Sequence, residues 1–97
     1  MKNIGESIKK ARRIKGFTQV YIAKKAGITQ TYLSQIESGS KDNPSKEILQ
    51  KISDAIGIPV PVFLFMSMEN KDCDPSKRKD FKSIKPSVDA LIKEFFL

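Results

Sequence analysis

The chain has 97 residues and a formal net charge of +7, from 18 Lys and Arg side chains against 11 Asp and Glu. This length suits one compact domain and excludes a large two-lobed enzyme. His is absent and Cys73 is the single cysteine, so the commonest general base and metal ligand is missing and neither an intrachain disulfide nor a thiolate zinc site can form. We therefore expect no metal and no cofactor, and a basic protein whose partner is nucleic acid or another anionic surface.

No segment has the composition of a membrane span or of a secretory signal. The longest stretch without a charged residue runs from Ala55 to Met68 and is interrupted by Gly57, Pro59 and Pro61, whereas a span needs about 20 apolar residues. The first ten residues contain no apolar run. We expect a cytoplasmic protein without a membrane partner.

The first two thirds of the chain consist of short segments with helical spacing of apolar residues. In the first segment, Ile4, Ile8 and Ala11 recur at intervals of four and three residues, and the later segments follow the same pattern. Each segment ends at a glycine, the usual residue just past a helix. These glycines are Gly16, Gly27, Gly39 and Gly57. The pattern predicts four helices.

Capping residues indicate where three of these helices begin. Thr18, Thr29 and Ser45 can each accept a hydrogen bond from the first turn of the helix that follows. Two prolines then end the fourth helix, and a short fifth helix is predicted over Val62–Met66. Because no strand-like alternation and no internal repeat is found, the predicted fold class is all-α.

The composition changes at Glu69. Residues 70–79 contain almost no apolar residue and are predicted to form a linker. A second apolar stripe with helical spacing follows, in which we expect a break at Ile84–Lys85 and a new helix from Pro86 or Ser87. The stripe consists of Phe81, Ile84, Val88, Leu91, Ile92 and Phe95. We divide the chain into a domain of residues 1–69 and a linker with C-terminal helix of residues 70–97.

The second and third helices are joined by only Gly27 and Ile28, since Thr29 already caps the third. Two helices with so short a connection cross steeply, as in a helix-turn-helix. The stretch FTQVYIAKKAGITQTYLSQIESG, from Phe17 to Gly39, resembles the Xre-type helix-turn-helix of the Cro and lambdoid phage repressor family, and the resemblance covers roughly residues 3–66. It implies a compact five-helix DNA-binding domain, followed here by a C-terminal amphipathic helical tail.

The third helix carries neutral hydrogen-bonding side chains on the face opposite Leu33 and Ile36. Amides and hydroxyls suit the reading of base edges. From the residues alone, a solvated face and a DNA-reading face fit equally well. The resemblance favours reading by a recognition helix over about residues 29–38, and it implies base contacts in the major groove. The implied base-reading residues are Gln30, Thr31, Ser34 and Gln35, of which Ser34 reads a base or binds a phosphate.

The resemblance also implies contacts to the DNA backbone. Gln19 opens the second helix at the place of a phosphate-binding glutamine. Tyr32 either packs its ring on the edge of the core or reaches a phosphate with its hydroxyl. The loop after the third helix and the start of the fourth contribute Lys41, Asn43 and Lys46.

In the family, an arginine of the first helix bonds the glutamate that ends the third helix. Arg12 and Glu37 match these two positions. We interpret them as a structural pair that ties the recognition helix to its scaffold. The alternative is that Arg12 contacts a phosphate and Glu37 is solvated.

The function that these features favour is a sequence-specific transcriptional regulator of double-stranded DNA, a repressor that binds a palindromic operator as a homodimer. The alternative is an antitoxin that binds a toxin through residues 70–97 and represses its own operon; an adapter without sequence-specific DNA binding is a third reading. The apolar stripe of the tail could pack back on the domain, pair in a dimer or bind another protein, and we favour dimerisation. An enzyme is not expected, because the chain has no glycine-rich phosphate loop and no paired catalytic carboxylates.

Overall fold

The computed structural model describes residues 4–40 and 44–97, and all regular structure in these residues is helical. The helices are α1 (Ile4–Ile14), α2 (Gln19–Ala26), α3 (Gln30–Ser38), α4 (Lys46–Ile56), α5 (Val60–Met66) and α6 (Arg78–Phe96), with 3-10 turns at Asn70–Asp72 and Pro75–Lys77. The prediction of five helices followed by a helical tail is confirmed.

The predicted capping residues begin their helices as expected. Thr18, Thr29 and Ser45 each accept a hydrogen bond from the backbone N–H three residues on, at 3.1, 3.0 and 3.2 Å. Gly27 ends α2 with a φ of 73°, a left-handed conformation that lets the chain turn into α3 within three residues. The helix-turn-helix geometry therefore follows from residues that the sequence already singles out.

The apolar faces of α1 to α5 meet in one core. α1 packs on α3 and α5, while α2 packs on α3 and α4. The largest fully buried side chains are Phe63, Ile8, Ile22, Leu33, Ile36, Ile52, Ile56 and Ile58. Because α3 is packed by both α1 and α2, its buried face is fixed and its opposite face is left at the surface.

α5 begins two residues earlier than predicted, at Val60, with Pro59 as its N-terminal cap residue and no side-chain capping hydrogen bond. Pro61 lies in the first turn, where its missing N–H would have had no intrahelical partner. α4 and α5 meet at an angle of 98°. Across the part of the chain that the structure describes, no single helix is long and apolar enough to cross a membrane, and only this bent pair would qualify by length and composition.

The predicted helix break at Ile84–Lys85 is wrong, because α6 continues through Pro86. A proline inside a helix costs about 3 kcal/mol. The ion pair of Lys85 with Asp89, 3.0 Å from Nζ to Oδ2, spans the proline and favours the helical form on both sides of it. The predicted linker also contains more order than expected, since its two 3-10 turns lead directly into α6 at Arg78.

One side of α6 lies against the rest of the molecule. The Phe81 ring is 6.4 Å from the ring of Phe65 in α5, and Lys85 Nζ lies 5.6 Å from the centroid of the same Phe65 ring. Ile92 is buried, and Leu97 packs against the core. These contacts also place both halves of α6 against the domain, which favours a continuous helix through Pro86.

Candidate functional site

α3 has one buried face and one exposed face without charge. Leu33 and Ile36 are 0% and 1% exposed. The only charged residue of α3, Glu37, is buried as well. The four predicted base-reading residues share the other side: Gln30, Thr31 and Ser34 are exposed and Gln35 is half-buried. The structure thus presents a row of amides and hydroxyls to solvent with no charged side chain of α3 among them.

Glu37 is the centre of a buried hydrogen-bonded group that joins three helices. Its carboxylate accepts two hydrogen bonds from Arg12 of α1, from Nε and Nη2, both at 2.8 Å. It also accepts one from Gln19 Nε2 of α2 at 3.0 Å. A further Arg12 nitrogen, Nη1, donates to the backbone oxygen of Phe17 at 2.8 Å. We call Arg12, Gln19 and Glu37 the α3 clamp.

The charges of the α3 clamp are removed from water, since the side chains of Arg12 and Glu37 are 8% and 2% exposed. The pKa of Arg12 is raised from its ordinary value, chiefly by its hydrogen bonds to the Glu37 carboxylate and against the effect of burial. Arg12 therefore stays charged under all ordinary conditions. A buried pair of this kind is costly to break on one side only, because the remaining charge is left buried without its partner.

A second close contact between α1 and α3 lies at Gly5, which is buried. A Cβ atom built on Gly5 would lie 1.9 Å from the backbone oxygen of Ile36 and 2.9 Å from its carbonyl carbon. Only glycine allows the two backbones to approach so closely. α1 therefore touches the last turn of α3 at two places, through backbone at Gly5 and through the Arg12 side chain.

The predicted phosphate-binding residues differ in their burial and in their hydrogen bonds. Gln19 is half-buried and uses one N–H of its amide in the α3 clamp, which leaves its second N–H for another acceptor. Tyr32 is half-buried with its ring packed against the core. Lys46 is exposed in the first turn of α4. Lys41 and Asn43 lie outside the described residues.

Sequence reasoning missed Gly5 and Lys15. The signal for Gly5 was present, because a glycine inside a predicted helix is unfavourable and usually has a packing reason. Lys15 Nζ donates to the backbone oxygen of Ile56 at 3.0 Å and so satisfies a carbonyl at the end of α4. No pattern in the sequence could have found a contact across 41 residues.

An open groove of about 1130 Å³ lies between α1 and α6, and Ser38 and Gly39 at the end of α3 also line it. Its basic lining residues are Lys9, Lys10, Arg13, Lys85 and Lys93. Three of the four basic residues of α1 thus lie along this groove, together with the acidic residues Glu6, Glu37 and Asp89. Within the ranges 4–40 and 44–97, no three Cys, Asp or Glu side chains are close enough together to hold a metal ion.

The six apolar tail residues predicted to contact a partner fall into two groups. Ile92 is buried, and Phe81 and Val88 are half-buried toward the domain. The remaining three, which we call the outer stripe, are 57%, 56% and 73% exposed. They are Ile84, Leu91 and Phe95. The tail thus packs back on its own domain with one side and leaves the other uncovered.

Comparison with known proteins supports the resemblance seen in the sequence. A family model described as helix-turn-helix matches residues 8–63. The chain is 39% identical over 61 residues to the HTH-type transcriptional regulator SinR of Bacillus subtilis, a match that covers 63% of this chain and 55% of SinR. It is also 39% identical over 57 residues to the immunity repressor protein of Bacillus phage phi105, covering 59% of this chain and 39% of that repressor. The match thus spans about half the length of these relatives or less.

The fold shows the same relationship. The N-terminal DNA binding domain of SinR from Bacillus subtilis matches with a TM-score of 0.65 and 36% identity, covering 71% of this chain and 100% of that domain. These relatives are a transcriptional regulator and a repressor, in agreement with the expectation that the chain is not an enzyme. Because the family model covers more than half of the chain and includes the α3 clamp and all of α3, the chain belongs to the Xre-type helix-turn-helix family.

Proposed function

We propose that the chain is a cytoplasmic, sequence-specific regulator that binds double-stranded DNA and represses transcription. The observation that carries this proposal is the neutral exposed face of α3, tied to α1 and α2 by the α3 clamp in a domain 36% identical to the DNA binding domain of SinR. A solvated surface helix has no need of a buried ion pair to fix its orientation. A helix that reads base edges does, since hydrogen bonds tolerate only a few tenths of an ångström.

The chemistry of α3 fits direct reading in the major groove. The amides of Gln30 and Gln35 can each donate to and accept from one adenine, and the methyl group of Thr31 can contact that of a thymine. The backbone contacts that orient the domain come from Lys46 and the second N–H of Gln19. The net charge of +7 adds a salt-dependent attraction to any duplex.

We further propose that two copies bind a palindromic operator, joined through the outer stripe of α6. Three apolar side chains on one side of a helix, each more than half exposed, remain in contact with water in a single chain. A two-fold pairing of α6 with its copy would bury the same patch on both chains. The two α3 helices would then enter successive major grooves about 34 Å apart.

Selection of binding sites from a random DNA pool tests the DNA-reading proposal. We expect enrichment of one sequence with two related halves, about 10 base pairs from centre to centre. Recovery of unrelated sequences that bind with equal affinity would contradict sequence-specific reading and would leave the adapter as the better description.

The oligomeric state of Leu91→Glu tests the interface. We expect the wild-type chain to be a dimer in light scattering and Leu91→Glu to be a monomer, because a carboxylate would be buried in the pairing. Ser83→Glu is the matched control, an exposed position of α6 outside the outer stripe that receives the same charge. A monomeric wild-type chain that forms a stable complex with the product of a neighbouring toxin gene would contradict the homodimer and favour the antitoxin alternative.

A further inference from the structure

We propose that Gly5 is a positioning residue for DNA reading. Because Gly5 has no side chain, the α3 backbone packs directly against it, and this contact sets where the base-reading side chains of α3 lie. The proposal rests on the proposed DNA-binding function. It assigns to Gly5 a role in sequence discrimination that is separable from the stability of the fold.

The contact at Gly5 has no flexible partner that could move aside. The atoms a Cβ would meet are the Ile36 oxygen at 1.9 Å, the Ile36 carbonyl carbon at 2.9 Å and Glu37 Cα at 3.3 Å, all of them backbone. Gly5 is the second residue of α1 and has no left-handed φ, so its backbone conformation is open to any residue. Close approach to α3 is therefore the one feature that requires glycine at this position.

Any side chain at Gly5 would force the first turn of α1 and the last turn of α3 apart. The Cβ and the Ile36 oxygen must separate by about an ångström before they reach the shortest distance at which real Cβ contacts are found. Arg12 holds the carboxylate of Glu37 two turns further along α1, so the displaced end of α3 would pivot about the α3 clamp. Gln30 lies six residues before Ile36 on the same rigid helix, about 9 Å away along its axis.

A displacement of this size affects the two kinds of DNA contact unequally. Hydrogen bonds to base edges need donor and acceptor 2.7–3.2 Å apart, so a shift of about 1 Å breaks them. Attraction between lysine and phosphate falls only gradually with distance. A variant with a side chain at Gly5 should therefore lose preference for its operator while keeping its general affinity for DNA.

The sign of the stability change on Gly5→Ala distinguishes the close contact from ordinary helix propensity. At a helical position without a close neighbour, replacing glycine by alanine ordinarily stabilises the folded chain, because alanine is the better helix former and restricts the unfolded state. At Gly5 the overlap with Ile36 reverses this expectation. A fall in melting temperature on Gly5→Ala would report the contact itself.

The experiment compares full-length wild type, Gly5→Ala and Ile52→Val, using the site selected by the wild-type chain and a scrambled duplex. For Gly5→Ala we expect a lower melting temperature, a loss of about tenfold or more in the ratio of operator to scrambled affinity, and little change in affinity for scrambled DNA. Ile52→Val is the control, because Ile52 is fully buried in α4, and its truncation should lower the melting temperature without changing the ratio.

A lowered melting temperature with an unchanged ratio would overturn the proposal, and so would a raised melting temperature. If Gly5→Ala does not fold in buffer, the measurement is repeated in sucrose, which favours the folded state; a chain unfolded even there would assign Gly5 to folding alone and overturn the positioning role. A wild-type chain that selects no site would instead refute the proposed function, whereas the melting temperature of Gly5→Ala would still test the contact.

Discussion

The helix-turn-helix core, α1 to α5, and the tail helix α6 share one sequence pattern and differ in what covers it. Both have apolar residues at helical spacing. Each helix of the core buries at least one large apolar side chain, whereas α6 buries only Ile92 and exposes the outer stripe. A periodic apolar stripe therefore predicts a helix, but it does not predict whether the same chain provides the surface that packs against it.

The ion pairs of the two regions differ in the same way. Arg12 and Glu37 in the core are 8% and 2% exposed at their side chains, whereas Lys85 and Asp89 in α6 are 21% and 45% exposed. The core pair fixes the relation of three helices, and the pair in α6 supports one helix locally. The buried pair thus holds α3, the element that we propose reads DNA.

The largest expected difference between the regions is in the stability lost when a phenylalanine of each is replaced by alanine. Phe63→Ala should lower the free energy of unfolding by about 3–5 kcal/mol, since the ring is fully buried in the core. Phe95→Ala should change the stability of the monomer by no more than about 0.5 kcal/mol, because Phe95 is 73% exposed. Urea unfolding at concentrations below dimerisation measures both. Similar losses would show that α6 is part of the core.

The buried ion pair provides the next largest effect. Glu37→Ala should cost about 3–5 kcal/mol, because Arg12 would be left buried with its charge unpaired. Glu47→Ala is the control, since the Lys51–Glu47 pair at 3.7 Å is exposed and should contribute at most about 1 kcal/mol. Thermal unfolding of both variants compares them. Equal melting temperatures would show that the α3 clamp does not stabilise the fold.

Much of the core could be predicted from the sequence, because local chemistry determines it. Thr18, Thr29 and Ser45 cap helices wherever a helix follows, and Gly27 permits the turn whatever surrounds it. The Arg12–Glu37 pairing was available only through the resemblance, since nothing local links residues 25 positions apart.

The remaining features depend on how helices pack, which the sequence pattern does not encode. The close approach at Gly5 exists only because α1 crosses α3 at its last turn. The continuity of α6 through Pro86 was mispredicted because the local preference for a break does not include the packing of Ile92 and the Lys85–Asp89 pair, which favour the helix. Local rules therefore succeed at helix starts with a side-chain cap and fail where a distant surface decides.

A smaller effect is expected from the exposed lysine at the start of α4. Lys46→Ala should weaken binding to all DNA sequences alike and reduce the slope of log affinity against log salt by about 0.9, the value for one lost phosphate contact. Lys51→Ala, also exposed in α4, is the control and should leave the slope unchanged. A salt titration by fluorescence anisotropy distinguishes the two, and identical slopes for Lys46→Ala and wild type would remove Lys46 from the interface.

The central claim is that the neutral side chains of α3 supply specificity, and the most direct measurement is the ratio of operator to scrambled affinity for the double variant Gln30→Ala, Gln35→Ala. The account predicts a fall of about 30-fold or more in this ratio, from two lost amide contacts of about 1–3 kcal/mol each, with scrambled affinity and melting temperature nearly unchanged. Gln50→Ala, which alters an exposed glutamine of α4, should leave the ratio intact. A double variant that still prefers its operator as strongly as the wild type would contradict the account.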